Sequence, residues 1–150
     1  MTPHKLRVVT VPVGNTPILP APGFLKKSLG PPHILAHDHI EVMKLCGAGC
    51  RYCSSNSGNV LRMQREPLAK LTEEQLGERL YPTTSPELVM AYPKDVLLQR
   101  LDAQLQKQSP HGEMGRGKTL VVSMLTDAFS PPVATDGTTR SVVEMLLHRT

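Results

Sequence analysis

Hydrophobic positions along the chain recur with two different rhythms. Between residues 93 and 107, Leu97, Leu101 and Leu105 fall on one helical face with Leu98 beside them, while Arg100, Asp102, Gln104 and Lys107 line the other. Pro93 suits the first turn of that helix, where its missing N–H costs nothing. From His39 to Leu45 the apolar residues Ile40, Val42, Met43 and Leu45 crowd too closely for a helix face and predict a strand that runs into Cys46. A second run, Thr119-Leu120-Val121-Val122-Ser123-Met124-Leu125, is nearly continuous and predicts a parallel strand buried on both faces. Thr126 to Pro132 then form a loop at its C-terminal end.

Two capping signals complete the pattern. Thr72-Glu73-Glu74-Gln75 has the form of a capping box opening a short helix that Gly77 weakens. Ser141-x-x-Glu144 does the same for a last helix carrying Val142, Val143, Met145, Leu146 and Leu147. Residues 1–35 alternate short apolar pieces with Pro and Gly, and read as an extended arm with at most one edge strand, because proline cannot donate to a ladder. Prolines cluster again at 82–93 and 131–132, which marks loops there as well.

Strand, helices, strand and helix in that order make an α/β chain. The predicted architecture is the first β/α units of a partial TIM-like (β/α) barrel over residues 36–150, preceded by the Pro-rich arm at 1–35. Two parallel strands can neither cover their faces nor close a barrel, and the pattern halts at His148-Arg149-Thr150 without a glycine cap. The expectation is therefore a truncated core, the alternative being one completed by a partner chain.

The 150 residues have room for one domain with a single core. With no Trp, two Phe and three Tyr, that core must rest on Leu, Val and Met. A net charge of +4 is mildly basic but scattered, so a nucleic-acid partner is compatible with it rather than required. No stretch approaches the ~20 apolar residues of a membrane span, and the N-terminus lacks the apolar core of a signal peptide. A cytoplasmic protein with no membrane partner is expected.

All three cysteines fall within eight residues, as Cys46-x-x-x-Cys50-x-x-Cys53. An odd, tightly clustered count argues against a disulfide framework and for metal or cluster ligation. A 4Fe–4S cluster usually takes four thiolates. Three from one loop can hold a cluster and leave one iron open to a chelating ligand. Zinc also prefers four ligands, and His37-x-His39 could supply the remainder. The alternative is thus a non-catalytic zinc- or iron–sulfur-binding module.

The CxxxCxxC spacing, with Tyr52 directly before the last cysteine, resembles the radical S-adenosylmethionine (radical SAM) superfamily. The resemblance implies that Cys46, Cys50 and Cys53 hold a 4Fe–4S cluster whose open iron is chelated by S-adenosylmethionine. Reductive cleavage to a 5′-deoxyadenosyl radical would follow, with electrons from a reductase or a flavodoxin or ferredoxin. It also implies that Tyr52 packs beside cluster and adenine, and that Thr126 and Asp127 lie at the cofactor site.

From His37 to Thr150 the chain is similar to the spore photoproduct lyase-related branch. The stretch Cys50-Arg51-Tyr52-Cys53-Ser54-Ser55-Asn56-Ser57-Gly58 carries that likeness, with Thr126-Asp127-Ala128-Phe129-Ser130-Pro131 and Thr139-Arg140. The branch often has a His between the first two cysteines and a Tyr after the third. This chain has Gly47-Ala48-Gly49 and Ser54 in those places, and Leu125-Thr126-Asp127 where the superfamily carries Gly-Gly-Glu. The branch resemblance puts DNA-lesion repair among the activities to test. It leaves the substrate and the catalytic residues open.

Other motifs have plainer explanations. Asp127 ends a predicted strand, where α/β sheets place ligands, but it also suits a loop cap. Arg140 reads as an exposed first-turn arginine, and His37-Asp38-His39 as a polar strand entry. Gly112-Glu113-Met114-Gly115-Arg116-Gly117-Lys118-Thr119 matches a P-loop letter for letter. A P-loop, however, needs a strand before it and a helix after it, so that helix N–H groups meet the phosphates. Here a helix precedes and a strand follows. Lys118→Ala should therefore leave nucleotide affinity unchanged, and Mg-dependent ATP binding abolished by this substitution would overturn the reading.

Overall fold

The computed structural model describes residues 5–13, 38–48, 64–82, 84–108, 120–123 and 126–149. The fold is mixed α/β. In chain order the elements are β1 (Arg7–Thr10), β2 (Asp38–Ile40), β3 (Met43–Leu45), α1 (Arg65–Leu76), β4 (Leu88–Ala91), α2 (Lys94–Gln108), β5 (Leu120–Val122) and α3 (Thr138–Arg149). One sheet has the order β1-β4-β3, and β2 pairs with β5 in a second. The β1–β4 and β2–β5 ladders are parallel and β3–β4 is antiparallel, so the pairing is not the all-parallel one of a barrel.

The middle strand, β4, organises the sheet. All four of its residues are buried, and their side chains alternate between two cores. Leu88 and Met90 join Val9, Val11, Leu45, Leu68 and Leu80 beneath α1. Val89 faces the other way, into a core with Ile40, Val42, Met43, Leu97, Leu101 and Leu105 of α2, and Val142 and Leu146 of α3. Each fully buried aliphatic contributes ~1.5–3 kcal/mol, so a strand buried on both faces anchors both layers. This strand departs from the expectation of a loop at 82–93. Pro82, Pro86 and Pro93 bracket Leu88–Ala91 without entering it, and so punctuate the strand instead of breaking it.

Other boundaries also differ from the sequence pattern. The predicted strand at 39–45 is two strands, because the chain turns at Glu41-Val42 and changes neighbours, from β5 to β4. The helix expected to open at Thr72 begins at Arg65, with Glu66 and Pro67 in its first turn. Thr72 is instead buried in mid-helix. Its hydroxyl donates to the Ala69 carbonyl at 2.7 Å and accepts the Leu80 N–H at 2.8 Å, pinning the returning chain. Gly77 does not weaken that helix but ends it, at φ 71° with its N–H on the Glu73 carbonyl.

Likewise α3 starts three residues before the predicted Ser141. Asp136 Oδ1 accepts the Thr138 N–H at 2.8 Å, and Gly137 holds φ 79°. Val142 and Leu146 are buried as a helix face should be, but Val143 and Leu147 point outward, Leu147 with 74% exposure.

The α2 register agrees with the sequence. Leu97, Leu101 and Leu105 are at most 1% exposed. Arg100, on the polar side, is half-buried because it donates to the Val13 carbonyl at 2.9 Å. The second predicted strand is parallel as expected, yet Val122 is only half-buried and not enclosed on both faces.

Within the described residues of the N-terminal arm, β1 forms a sheet edge. Arg7, Val9 and Val11 lie in register to bond β4, which turns the N–H and C=O of Thr10 outward. Gln75 of α1 takes both of them. Thr10 N–H donates to Gln75 Oε1 at 2.9 Å, and Gln75 Nε2 donates to the Thr10 carbonyl at 2.8 Å. A side-chain amide thus stands where another strand could pair. Gln75→Ala should lower unfolding stability by about 1 kcal/mol in denaturant titration and promote self-association in light scattering. Unchanged stability and a monodisperse variant would show that this edge needs no cover.

Candidate functional site

Cys46 follows β3 directly. It is a free thiol, half-buried, and it packs against the main core. The next residue explains why the turn sits so close to the sheet. A Cβ built on Gly47 would lie 2.5 Å from Leu6 Cδ2 and 2.9 Å from Val89 Cγ2, so only glycine fits without displacing a neighbour. Leu6 can swing aside, but Val89 is β-branched, fully buried and stiff at χ1. Glycine at position 47 thus has a packing cause.

Lys44, two residues before Cys46, is half-buried, and desolvation pushes its ammonium below the ordinary lysine value. It donates to Gln64 Oε1 at the entry to α1. The two ends of the cysteine-bearing segment are therefore joined. Cys50, Tyr52 and Cys53 lie outside the described residues, as do His37 and the side chain of His39. Among the described residues no three His, Cys, Asp or Glu side chains gather around a possible metal position. The site's fit to a metal therefore rests on donor chemistry. Cys46 is a half-buried thiol at a strand end, and two further thiols follow within seven residues of sequence. Soft thiolates suit an iron–sulfur cluster or zinc.

A polar cluster lies at the ends of three strands. Glu41 follows β2, Tyr92 follows β4, and Ser123 and Thr126 follow β5. The Thr126 hydroxyl donates to Glu41 Oε2 at 2.8 Å and lies 3.3 Å from the Ser123 hydroxyl. Ser123 N–H donates to the Ile40 carbonyl at 2.7 Å and continues the β2–β5 ladder, while its φ of 61° is unusual for a residue with a Cβ. Tyr92 is half-buried against the main core, and burial followed by the Glu41 charge pushes its phenol above the ordinary tyrosine value.

Of the residues singled out in the sequence, Thr126 belongs to this cluster and Asp127 does not. Asp127 is exposed and caps its own turn: Oδ1 accepts the Phe129 N–H at 2.9 Å, and its carbonyl accepts the Ser130 hydroxyl at 2.8 Å. Arg140, in the first turn of α3, is exposed and paired with Glu144 at 2.9 Å. Thr139 ties that turn back to the loop, donating to the Ala128 carbonyl at 2.6 Å.

Cys46 and Thr126 are held at different ends of β3. Met43 pairs with Ala91, next to Tyr92, whereas Leu45 pairs with Met90 and Gly47 lies over Val89. The three residues of β3 span ~10 Å between the polar cluster and Cys46. Sequence reasoning missed Glu41, Tyr92 and Ser123. The available signals were a lone carboxylate inside the apolar run Ile40–Leu45 and a tyrosine directly before Pro93.

No protein-family model, curated protein or solved structure matches the chain. No helix among the described residues is long and apolar enough to cross a membrane.

The contact at Gly47 is testable. Gly47→Val should cost about 1–3 kcal/mol in thermal or chemical unfolding, with Gly47→Ala milder because the Leu6 side chain can move. Equal stability of all three proteins would show that the turn does not press on the sheet.

Proposed function

We propose that the chain is a radical SAM enzyme, or part of one, in which Cys46, Cys50 and Cys53 hold a 4Fe–4S cluster. The observation that carries this is the CxxxCxxC segment leaving a strand end. Its first thiol is half-buried directly after β3. The cluster, with S-adenosylmethionine bound to its open iron, would supply one-electron reductive cleavage to a carbon radical.

The chain's own residues have simpler tasks in this reading. Gly47 lets the turn after Cys46 sit on β1 and β4, which fixes the first ligand relative to the core. The Lys44–Gln64 bond joins the ends of the cysteine-bearing segment. Tyr52 would pack beside cluster and adenine, and Thr126 and Asp127 would border the cofactor. The wider architecture in this reading is the start of a partial (β/α) barrel, within which the parallel β2–β5 pair is the kind of neighbour relation a barrel requires. A reductase, or flavodoxin or ferredoxin, would deliver the electron in the cytoplasm, and a DNA lesion is one substrate class to assay.

Anaerobic reconstitution with iron and sulfide tests the reading. A brown protein with close to four irons per chain is expected from the 4Fe–4S stoichiometry. Ala at Cys46, Cys50 or Cys53 should each abolish stable loading, because three thiolates leave no spare ligand. Near-complete loading in any single variant would refute three-thiolate ligation. A colourless zinc protein would favour the non-catalytic module with His37 or His39.

A further inference from the structure

We propose that Phe129, Val143 and Leu147 form a self-complementary face on which two copies of this chain pair across a two-fold axis at Val143. The inference goes beyond the function proposed above and does not depend on the cluster.

The apolar residues come first. Val143 and Leu147 stand four residues apart on one flank of α3, 37% and 74% exposed. Thr139 lies one turn before Val143 on that flank, and its hydroxyl donates to the Ala128 carbonyl. That bond brings the next residue, Phe129, to the N-terminal end of the same stripe, where it is 82% exposed. A contiguous exposed apolar stripe marks an interaction surface, whereas scattered single residues do not.

Phe129 is also presented on a well-bonded turn. Asp127 Oδ1 accepts its N–H at 2.9 Å, and the Asp127 carbonyl accepts the Ser130 hydroxyl at 2.8 Å. The Ser130 carbonyl in turn accepts the Ala134 N–H at 3.2 Å. With the backbone already fixed, covering the ring orders little besides the side chain.

The order of these residues selects a second copy as the partner. Phe129 sits one turn before Val143, and Leu147 one turn after it. A two-fold axis at Val143 runs two α3 helices antiparallel and sets each Leu147 against the partner's Phe129, so one chain supplies both halves of the contact. Charge agrees. Arg140 and Glu144 border the stripe on one side, exposed and paired within the chain at 2.9 Å. The same axis keeps that side facing its own copy and brings each Arg140 within reach of the partner's Glu144, so opposite signs meet twice. Five side chains a copy are few beside the ~20–30 residues a side of a standard interface, so the dimer is weak and reversible.

Sedimentation velocity of the 150-residue chain across the micromolar range tests the face. The unaltered chain should pass from monomer to dimer as concentration rises. Phe129→Ser and Leu147→Ser, each first checked for unaltered circular dichroism, should weaken the dimer by at least about tenfold, the scale of a central anchor. Arg140→Glu and Glu144→Arg should each stay monomeric alone, because like charges then face one another across the axis. An equimolar mixture of those two variants should dimerise again, since every facing pair is then of opposite sign.

A chain that stays monomeric throughout the range would overturn the proposal and leave the stripe to a different protein. A dimer that survives both serine substitutions would place the contact elsewhere and overturn it too. So would charge variants that fail to rescue one another on mixing.

Discussion

The burial of β4 on both faces is the constraint on which the rest of the structure depends. Leu88 and Met90 lie under α1, and Val89 under α2 and α3, so one four-residue strand belongs to two cores at once. Its flanks are equally committed, with β1 parallel on one side and β3 antiparallel on the other. A polar substitution in β4 would have nowhere to find water, since every position faces packed side chains. The prolines on either side hold the strand to this short length.

That arrangement determines where chemistry can sit. β3 runs antiparallel to β4, with Met43 opposite Ala91 and Leu45 opposite Met90, so the chain leaves its two ends in opposite directions along the central strand. One end leads into Cys46 and then Gly47, whose missing Cβ allows the close approach to Val89. The other brings Glu41 to Tyr92 and to the hydroxyls that follow β5. Polar groups collect at strand ends because the strand bodies are committed to the core. The two polar regions are thus separated by β3, in which Met43 and Leu45 are buried and Lys44 half-buried.

Electrostatics at the surface play a smaller part. Arg79 joins Glu66 and Glu73 across the outer face of α1, and Arg65 lies 4.4 Å above the Tyr81 ring. These contacts are exposed and screened, and they tidy the connection from α1 towards β4 more than they hold it. The edge contact of Gln75 with Thr10 differs in kind, because it satisfies strand groups that would otherwise pair with another chain.

Periodicity alone was enough for α2, because three leucines at four-residue spacing report a helix face directly, and Leu97, Leu101 and Leu105 are all buried. β5 is parallel as its apolar run suggests, though Val122 lacks the two-faced burial on which that reading rested, and the exposed first-turn place of Arg140 was legible locally. The proposed cluster ligation rests on the cysteine spacing alone, since loop ligation depends on separation along the chain. Other features needed the tertiary structure. Thr72 has the spelling of a cap, but its hydroxyl is buried against Leu80, a partner that only the returning chain supplies. The run from His39 to Leu45 divides in two because its halves find different neighbours. Glu41 meets the Thr126 hydroxyl only because β5 delivers it from 85 residues away. Sequence pattern reports what a residue does to its own helix or strand; long-range partners are decided by packing, which leaves no local signature.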